Sequence, residues 1–398
     1  SLPTRRSSDL KNPVYHADYL NLIKNFVSDE QRQVLATFLK FSLKNLPIIE
    51  ESAWERTPNP ILWREMAALG SFGAHIPEQY EGSALDEVSY SMMTIGLEWG
   101  DSSLRSNASV QNALVAYPIL MYGNEEQRSK YLPKMASGEW IGAFGLTEPN
   151  HGSDPGSLET KAVETDAGYL LNGSKQWITN ANVAHVHIVW AKLEGKIHGF
   201  IVEKGTPGMV VHPMHKKDSL TAGHTGEYTL QDAMIPKENL LPNAVGLKCA
   251  LKCLNEARAG IASGIIGAAM FCYETAWDYV MERKQFGTAL AAKQITQVKL
   301  ADMSTKIAQG LSTALHLAQL RERKAADFSC VSMVKRANTA IAREVAMTAR
   351  EMLGANGVSS EYPIMRVWKN IESVYTYEGT YDIHGLVIGE RITGMASY

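Results

Sequence analysis

The chain has 398 residues, which at roughly 100–200 residues per domain allows two to four domains. Its 39 Lys and Arg residues nearly balance 42 Asp and Glu residues, so no basic excess indicates binding to nucleic acid or to an anionic membrane. A hydrophobic share of 45% argues against intrinsic disorder. The 4 scattered cysteines argue against a disulfide framework.

The first part of the chain predicts an N-terminal α-helical domain over residues 16–140. Residues 1–15 precede it as a disordered or artificial tail, because the first residues have no hydrophobic period and no apolar signal core. Ser28 to Gln31 forms a capping-box pattern, and the apolar period that follows is expected to end at Pro47. Further helices are predicted over residues 62–68, 85–99, 109–121 and 125–133.

Residues 141–242 predict a middle β domain, either a barrel or a sandwich, because β-branched residues and Gly increase and the apolar period drops toward two. Asn172-Gly173 and Glu194-Gly195 are hairpin turn signals. Strands are predicted over residues 169–171, 176–179, 185–191, 199–203, 208–213 and 226–230.

Residues 243–398 return to the helical period and predict a C-terminal four-helix bundle, so the fold class is α+β in the order α, β, α. The glycines at 260, 264 and 267 predict a closely packed helix face, and the apolar run over 259–272 is too short for a membrane span. The bundle helices are predicted over residues 247–282, 293–323, 328–353 and 384–392.

Three segments carry candidate chemistry, and each has a plainer alternative. The loop over 144–154 exposes backbone N–H groups and hydroxyls that suit a phosphate or a heterocycle edge, or it is an ordinary polar loop. Trp177 and Thr179 share a strand face that suits a flat cofactor, or they belong to a plain strand. Glu378 precedes a Gly-Thr turn and a helix start, where a carboxylate is either fixed against a ligand or simply solvated.

Other patterns point to no chemistry by themselves. The segments 283–287 and 353–357 have the composition of ordinary helix ends. Cys249 and Cys253 have same-face helical spacing and are interpreted as small core residues. The 11 histidines form no ligand cluster and no H-E-x-x-H motif, so we expect no metal centre.

Taken together, these segments resemble the acyl-CoA dehydrogenase family of flavoproteins from about residue 29 to residue 394. The resemblance implies FAD as the cofactor, acyl-CoA as the substrate, and a homotetramer built as a dimer of dimers. It also implies a soluble protein of a bacterial cytoplasm or a mitochondrial matrix. The matching motifs, in the family's order, cover residues 123–133, 144–154, 177–180, 283–287, 353–357 and 377–380.

The resemblance implies two groups of FAD-binding residues. The first group holds the flavin and its pyrophosphate within one subunit, and comprises Phe144, Leu146, Thr147, Ser153, Trp177, Thr179, Thr380 and Asp382. The second group reaches the FAD of a neighbouring subunit, and comprises Arg283, Phe286, Leu353, Gly354 and Gly357.

Glu378 matches the family's catalytic base. The chemistry needs a carboxylate to remove the Cα proton beside the thioester while a hydride leaves Cβ, and burial would raise its pKa toward the working pH. Some family members carry the base on another helix, immediately before an Arg. That position is Ala257 here, before Arg258, so Glu256 one residue earlier is the alternative base.

Arg105 and Ser106, with Glu98 nearby, match family members that act on glutaryl-CoA, since an Arg suits the terminal carboxylate of that substrate. A surface salt bridge is the alternative for Arg105. The resemblance also assigns Ser153, Arg258 and Tyr377 to substrate binding. Two positions depart from the pattern, Leu104 and Tyr381.

The implied reaction is dehydrogenation and decarboxylation of glutaryl-CoA to crotonyl-CoA and CO₂, with electrons passed to electron-transferring flavoprotein. Three alternatives stay open at this point. The enzyme does not decarboxylate, it acts on another short-chain acyl-CoA, or the chain is a catalytically silent protein that binds flavin and acyl-CoA. The carboxylate at Glu378 argues against the silent protein.

Overall fold

The structure, a computed structural model, describes residues 18–23 and 25–396. The tail predicted over 1–15 lies outside these residues. The described chain forms a helical N-terminal part, a middle sheet and a helical C-terminal part, which confirms the predicted order α, β, α.

The N-terminal helices carry one wrong prediction at Pro47. The Ser28 capping box is confirmed, but the helix continues through Pro47, because Leu46 and Ile49 beside it are buried and hold the turn that lacks a hydrogen bond. The helices are α1 (Asp18–Asn21), α2 (Asp29–Trp54), α3 (Pro60–Ala68), α4 (Glu87–Gly100), α5 (Ser102–Ser109), α6 (Tyr117–Tyr122) and α7 (Glu125–Ala136), with a π-helical segment at Val110–Ala116.

The helix predicted over 109–121 begins earlier than expected. Asp101 caps α5, since its carboxylate accepts a hydrogen bond from the Ser103 N–H at 2.7 Å. The sequence after Asp101 is mostly polar and shows no apolar period, so the pattern did not predict α5, although every residue of this helix is buried. The consequence is a buried polar helix directly after α4.

The middle strands form one eight-stranded mixed sheet in the order β6-β7-β3-β2-β4-β5-β8, with β1 paired to β4. The turn predicted at Asn172-Gly173 is wrong, because both residues lie inside one long strand at a register shift, and the bulge takes the place of the turn. The turn at Glu194-Gly195 is confirmed. The strands are β1 (Gly142–Gly145), β2 (Lys161–Thr165), β3 (Gly168–Thr179), β4 (Val186–Leu193), β5 (Lys196–Glu203), β6 (Met209–Pro213), β7 (Thr225–Ile235) and β8 (Leu240–Val245).

The C-terminal part is helical, as predicted, and contains all four predicted helices and one more, five among the described residues. The missed helix is α11, whose buried residues Ile364, Val367, Ile371 and Val374 do recur at helical spacing. The elements are α8 (Leu247–Glu282), a hairpin of β9 (Lys284–Gln285) and β10 (Thr288–Ala289), α9 (Gln294–Glu322), α10 (Phe328–Met352), α11 (Ile364–Thr376) and α12 (Tyr381–Thr393).

Helix α8 is the central helix and packs closely on α4 through its glycines, as predicted. A Cβ at Gly267 would lie 2.1 Å from the Ile95 carbonyl oxygen, and one at Gly264 would lie 2.9 Å from Glu98 Oε2. By length and composition α8 is also able to cross a membrane, but its most apolar window is 89% buried inside the fold. This confirms the interpretation of a buried core helix.

A buried carboxyl on α8 predicts a pH-dependent stability. Glu274 accepts hydrogen bonds from Trp99 Nε1 and the Tyr19 hydroxyl, both at 2.8 Å, and burial raises its pKa to about 8. The native state therefore keeps a proton that the unfolded chain releases near pH 4.5, and stability falls as the pH rises between these values.

We expect Glu274→Gln to raise the free energy of unfolding at about pH 8.5 by on the order of 1 kcal/mol or more, and to change it little at about pH 5. The measurement is thermal unfolding at both pH values. Glu390→Gln, an exposed carboxyl on α12, serves as the control. An equal effect of Glu274→Gln at both pH values would show that the carboxyl does not titrate in this window.

Candidate active site

The short loop between α11 and α12 presents Glu378. The backbone is left-handed at Glu378, with φ 52°, and again at Gly379, with φ 101°. Gly379 is required here, because a Cβ would lie 2.9 Å from His384 Nε2. Thr380 then caps α12 by accepting a hydrogen bond from the Ile383 N–H at 3.1 Å. The loop is thus fixed at both ends.

The Glu378 carboxyl is suited to act as a base. Its Oε2 atom is buried and has no hydrogen-bond partner among the described residues. Burial raises its pKa above the ordinary value, and the charges of Arg105, Lys335 and Arg258 oppose this. Such a carboxyl takes up a proton more readily than a solvated one, as a general base requires.

Two cations from the bundle hold the loop by its backbone. Lys335 on α10 donates to the carbonyl oxygens of Tyr377 and Gly379, both at 2.7 Å. Arg258 on α8 donates through Nε to the Glu378 carbonyl at 2.6 Å. The resemblance assigned Arg258 to the substrate, whereas this hydrogen bond attaches it to the loop.

Sequence reasoning missed Lys335. The only signal was a lysine on the buried side of α10, between Val331 and Ala342. The sequence assigns no role to His384, whose side chain lies against Gly379 in the structure. Burial lowers the pKa of His384 to about 3, with the charges of Lys335 and Arg258 adding to the effect, so its imidazole is neutral.

A buried polar cluster lies directly beside Glu378. Arg105 donates through Nε to the Glu98 carboxylate and through Nη2 to the Tyr377 hydroxyl, and that hydroxyl lies 3.1 Å from Ser106 Oγ. Arg105 is 0% exposed, so the alternative of a surface salt bridge is wrong. Among the described residues Arg105 Nη1 takes no partner, which leaves it available to an anionic ligand.

The remaining positions around this cluster point elsewhere. Leu104 is buried in the apolar cluster of the N-terminal helices, so its departure from the family pattern does not reach the Arg105 cluster. Tyr381 stacks on Tyr375, with ring centroids 4.7 Å apart. Glu256 is paired with Arg321 on α9, which weakens it as the alternative base.

The implied flavin residues of the middle domain lie where β1 ends and β3 bulges. Gln176 N–H donates to the Thr147 carbonyl at 2.9 Å, which joins the loop after β1 to the bulge in β3. At the bulge Trp177 has φ 62° and is 59% exposed, and with Thr179 it flanks the buried Ile178. An outward-facing indole beside a hydroxyl fits a flat ring system such as isoalloxazine.

A buried ion pair fixes the start of this loop. Lys175 Nζ lies 2.8 Å from Glu148 Oε1 and also donates to the Leu146 carbonyl at 3.0 Å. Glu148 belongs to a group with His151 and Glu159 whose ligand atoms lie within 4.8 Å of one another. Because Lys175 already occupies the Glu148 carboxylate, this group is better described as support for the loop than as a cation site.

The other residues of the first implied FAD-binding group differ in how exposed they are. Phe144 on β1 and Leu146 directly after that strand are buried, Ser153 and Asp382 are exposed, and Thr380 Oγ1 caps α12.

The second implied group lies at the other end of α8. Phe286 is 95% exposed at the tip of the β9–β10 hairpin, and Asn356 donates to the Tyr279 hydroxyl at 3.1 Å, which brings the segment after α10 to the same end. Arg258, which contacts the Glu378 loop, lies on α8, and Arg283 directly follows the last residue of that helix. At a rise of roughly 1.5 Å per residue the two positions are about 37 Å apart along the helix axis. One chain therefore does not bring this group to Glu378.

Comparison with known proteins decides the family. The models for the acyl-CoA dehydrogenase N-terminal, middle and C-terminal domains match residues 28–139, 143–233 and 244–393. The chain belongs to the acyl-CoA dehydrogenase family. It is therefore an oxidoreductase of the acyl-CoA dehydrogenase type, and FAD is its cofactor.

Individual relatives agree with this assignment. An acyl-CoA dehydrogenase of Bacillus subtilis (strain 168) is 38% identical over 84% of this chain and 89% of its own length. The mitochondrial short-chain specific acyl-CoA dehydrogenase of Rattus norvegicus is 33% identical over 83% and 81%. A glutaryl-CoA dehydrogenase of Mycobacterium smegmatis in complex with FADH2 has a TM-score of 0.93 and 38% identity, covering 96% of this chain and 100% of that one.

Proposed function

We propose that this acyl-CoA dehydrogenase oxidises glutaryl-CoA and decarboxylates the product to crotonyl-CoA and CO₂, with Glu378 as the base. The observation that carries the proposal is Arg105, fully buried and bonded to the Tyr377 hydroxyl, one residue before Glu378. A base and a buried cation so close together suit an acyl chain that has a thioester at one end and a carboxylate at the other.

In the oxidation step Glu378 removes the proton from Cα. FAD, when bound, supplies the acceptor for the hydride that leaves Cβ. The Glu378 N–H has no acceptor among the described residues, so it is available to the thioester oxygen where negative charge develops. Burial raises the pKa of Glu378, which favours uptake of the proton.

In the decarboxylation step the bond between Cγ and the carboxylate breaks. The electron pair enters the conjugated thioester as a dienolate, CO₂ leaves, and protonated Glu378 returns its proton to Cγ. The carboxylate must be oriented yet able to lose its charge. Glu98 shares Arg105 and thereby weakens its hold on the substrate. Burial raises the pKa of Tyr377 to about 12, so a neutral phenol helps to position the departing group.

Two partners belong to the same proposal. Electrons pass to electron-transferring flavoprotein, as the family resemblance implies. The chain assembles as a homotetramer in which Arg283, Phe286, Leu353, Gly354 and Gly357 reach the FAD of a neighbouring subunit. The exposed Phe286 and the distance along α8 support this assembly, because neither is explained within one chain.

Product analysis tests the proposed reaction. We expect incubation with glutaryl-CoA and an artificial electron acceptor to give crotonyl-CoA as the main product, with one CO₂ for every two electrons passed to the acceptor, as measured by mass spectrometry and CO₂ trapping. Accumulation of glutaconyl-CoA without CO₂ would contradict decarboxylation and leave dehydrogenation intact. Turnover of butyryl-CoA but not of glutaryl-CoA would show a short-chain acyl-CoA dehydrogenase instead.

A further inference from the structure

Three successive carbonyl groups in the catalytic loop accept hydrogen bonds from cationic side chains. The carbonyls of Tyr377 and Gly379 converge on one atom, Lys335 Nζ, at 2.7 Å each, and the Glu378 carbonyl between them accepts from Arg258. The left-handed backbone at Glu378 and Gly379 makes this convergence possible. All three carbonyl groups of the loop therefore accept hydrogen bonds from cationic side chains, while the Glu378 N–H has no hydrogen-bond partner among the described residues.

Lys335 is an unusual residue to use only for holding a loop. It is 1% exposed and, among the described residues, forms no salt bridge with a carboxylate. Burial lowers its pKa, and the negative charge of ionised Glu378 raises it, so the ammonium form of Lys335 is favoured while Glu378 is ionised. A neutral donor such as glutamine would satisfy the same carbonyls without burying a charge. The positive charge thus needs a separate explanation.

We propose that Lys335 is a positioning residue that polarises the Tyr377–Glu378 peptide and so strengthens the Glu378 N–H as a donor to the substrate thioester oxygen. The inference rests on the proposed function. The carbonyl of Tyr377 and the N–H of Glu378 belong to one conjugated peptide group. A cation on its oxygen draws electron density from the nitrogen, and the N–H becomes a stronger donor.

The same charge acts on the Glu378 carboxyl. The charged groups around this carboxyl are Arg105 from α5, Arg258 from α8 and Lys335 from α10, while His384 from α12 is neutral. Glu98 of α4 is engaged by Arg105. Removing Lys335 leaves two of the three cations, so the pKa of Glu378 rises. A base with a raised pKa loses its proton only at higher pH, which shifts the rate profile upward.

The test compares Lys335→Met, Lys335→Gln and Lys335→Arg in the FAD-loaded protein. Lys306→Met on α9, whose lysine pairs with Glu344, is the matched control. Two readouts are needed. One is the rate of anaerobic flavin bleaching against pH and acyl-CoA concentration. The other is the carbonyl stretch of bound crotonyl-CoA labelled with ¹³C at the thioester, which falls in frequency as the hydrogen bond to its oxygen strengthens.

We expect Lys335→Met to slow bleaching at saturating substrate by on the order of tenfold or more, since losing a whole oxyanion donor costs about 10²–10³-fold. KM should change less than kcat, the pH profile should move to higher pH, and the carbonyl frequency should move toward that of free crotonyl-CoA. Lys335→Gln should show the same directions with smaller changes, Lys335→Arg, which keeps the charge, should move the carbonyl frequency less than Lys335→Gln does, and Lys306→Met should stay near wild type.

Unchanged bleaching, pH profile and carbonyl frequency in Lys335→Met would overturn the proposal. If that variant does not fold or loses FAD, Lys335→Gln decides, because it puts a neutral amide donor in place of the ammonium group. A wild-type carbonyl frequency in a slowed, FAD-loaded Lys335→Gln would also refute polarisation. Failure of the proposed function looks different, since glutaryl-CoA would then fail to bleach wild type or would give no crotonyl-CoA, while the Lys335 variants are compared with any acyl-CoA that does bleach wild type.

Discussion

Glu378→Gln is expected to lose flavin reduction by acyl-CoA by at least about 100-fold while keeping FAD and the assembly. Glutamine matches the carboxylate in shape but cannot accept the Cα proton. The side chain makes no hydrogen bond through Oε2 among the described residues, so the substitution breaks no structural contact there. Anaerobic stopped-flow absorbance of the flavin measures the loss directly.

Glu256→Gln is the matched control for this prediction. It makes the same chemical change on α8, at a carboxylate that pairs with Arg321 and lies one residue before the alternative base position, Ala257. We expect it to bleach at a rate near wild type once the FAD content is normalised. Normal bleaching in Glu378→Gln together with loss in Glu256→Gln would transfer the catalytic role to Glu256.

Periodicity predicted the helices of the fold better than local breakers did. The bounds of α8 were predicted correctly because apolar residues recur at helical spacing along its whole length, as a helix in the core requires. Pro47 and Asn172-Gly173 were misinterpreted for a shared reason. Each is a breaker in isolation, but buried neighbours carry the helix past Pro47, and pairing of β3 with β2 and β7 carries the strand past Asn172-Gly173.

The site was predicted through resemblance, and its geometry had to come from the structure. Arg105 and Tyr377 are 272 residues apart in sequence, and no local pattern predicts that their side chains meet. Lys335 was missed because its partners are backbone carbonyls, which carry no sequence signature. The roles of Glu378, Arg105 and the FAD-binding residues remain predictions that the variants test.

Arg105→Met should lose glutaryl-CoA turnover far more than turnover of pentanoyl-CoA, an uncharged substrate of the same length. Removing the arginine leaves the substrate carboxylate desolvated and unpaired, which costs roughly 2–5 kcal/mol, or about 30- to several-thousand-fold in kcat/KM. Pentanoyl-CoA has no terminal carboxylate, so its kcat/KM does not carry this penalty. The quantity to measure is therefore the ratio of kcat/KM for the two substrates.

Glu98 complicates the single substitution, and a double variant resolves it. In Arg105→Met the Glu98 carboxylate also loses its partner, and because it is buried it would disturb both substrates. Arg105→Met with Glu98→Gln removes that second unpaired charge. We expect the double variant to recover pentanoyl-CoA turnover but not glutaryl-CoA turnover. An equal loss on both substrates in the single and the double variant would mean that Arg105 supports the fold and does not recognise the substrate carboxylate.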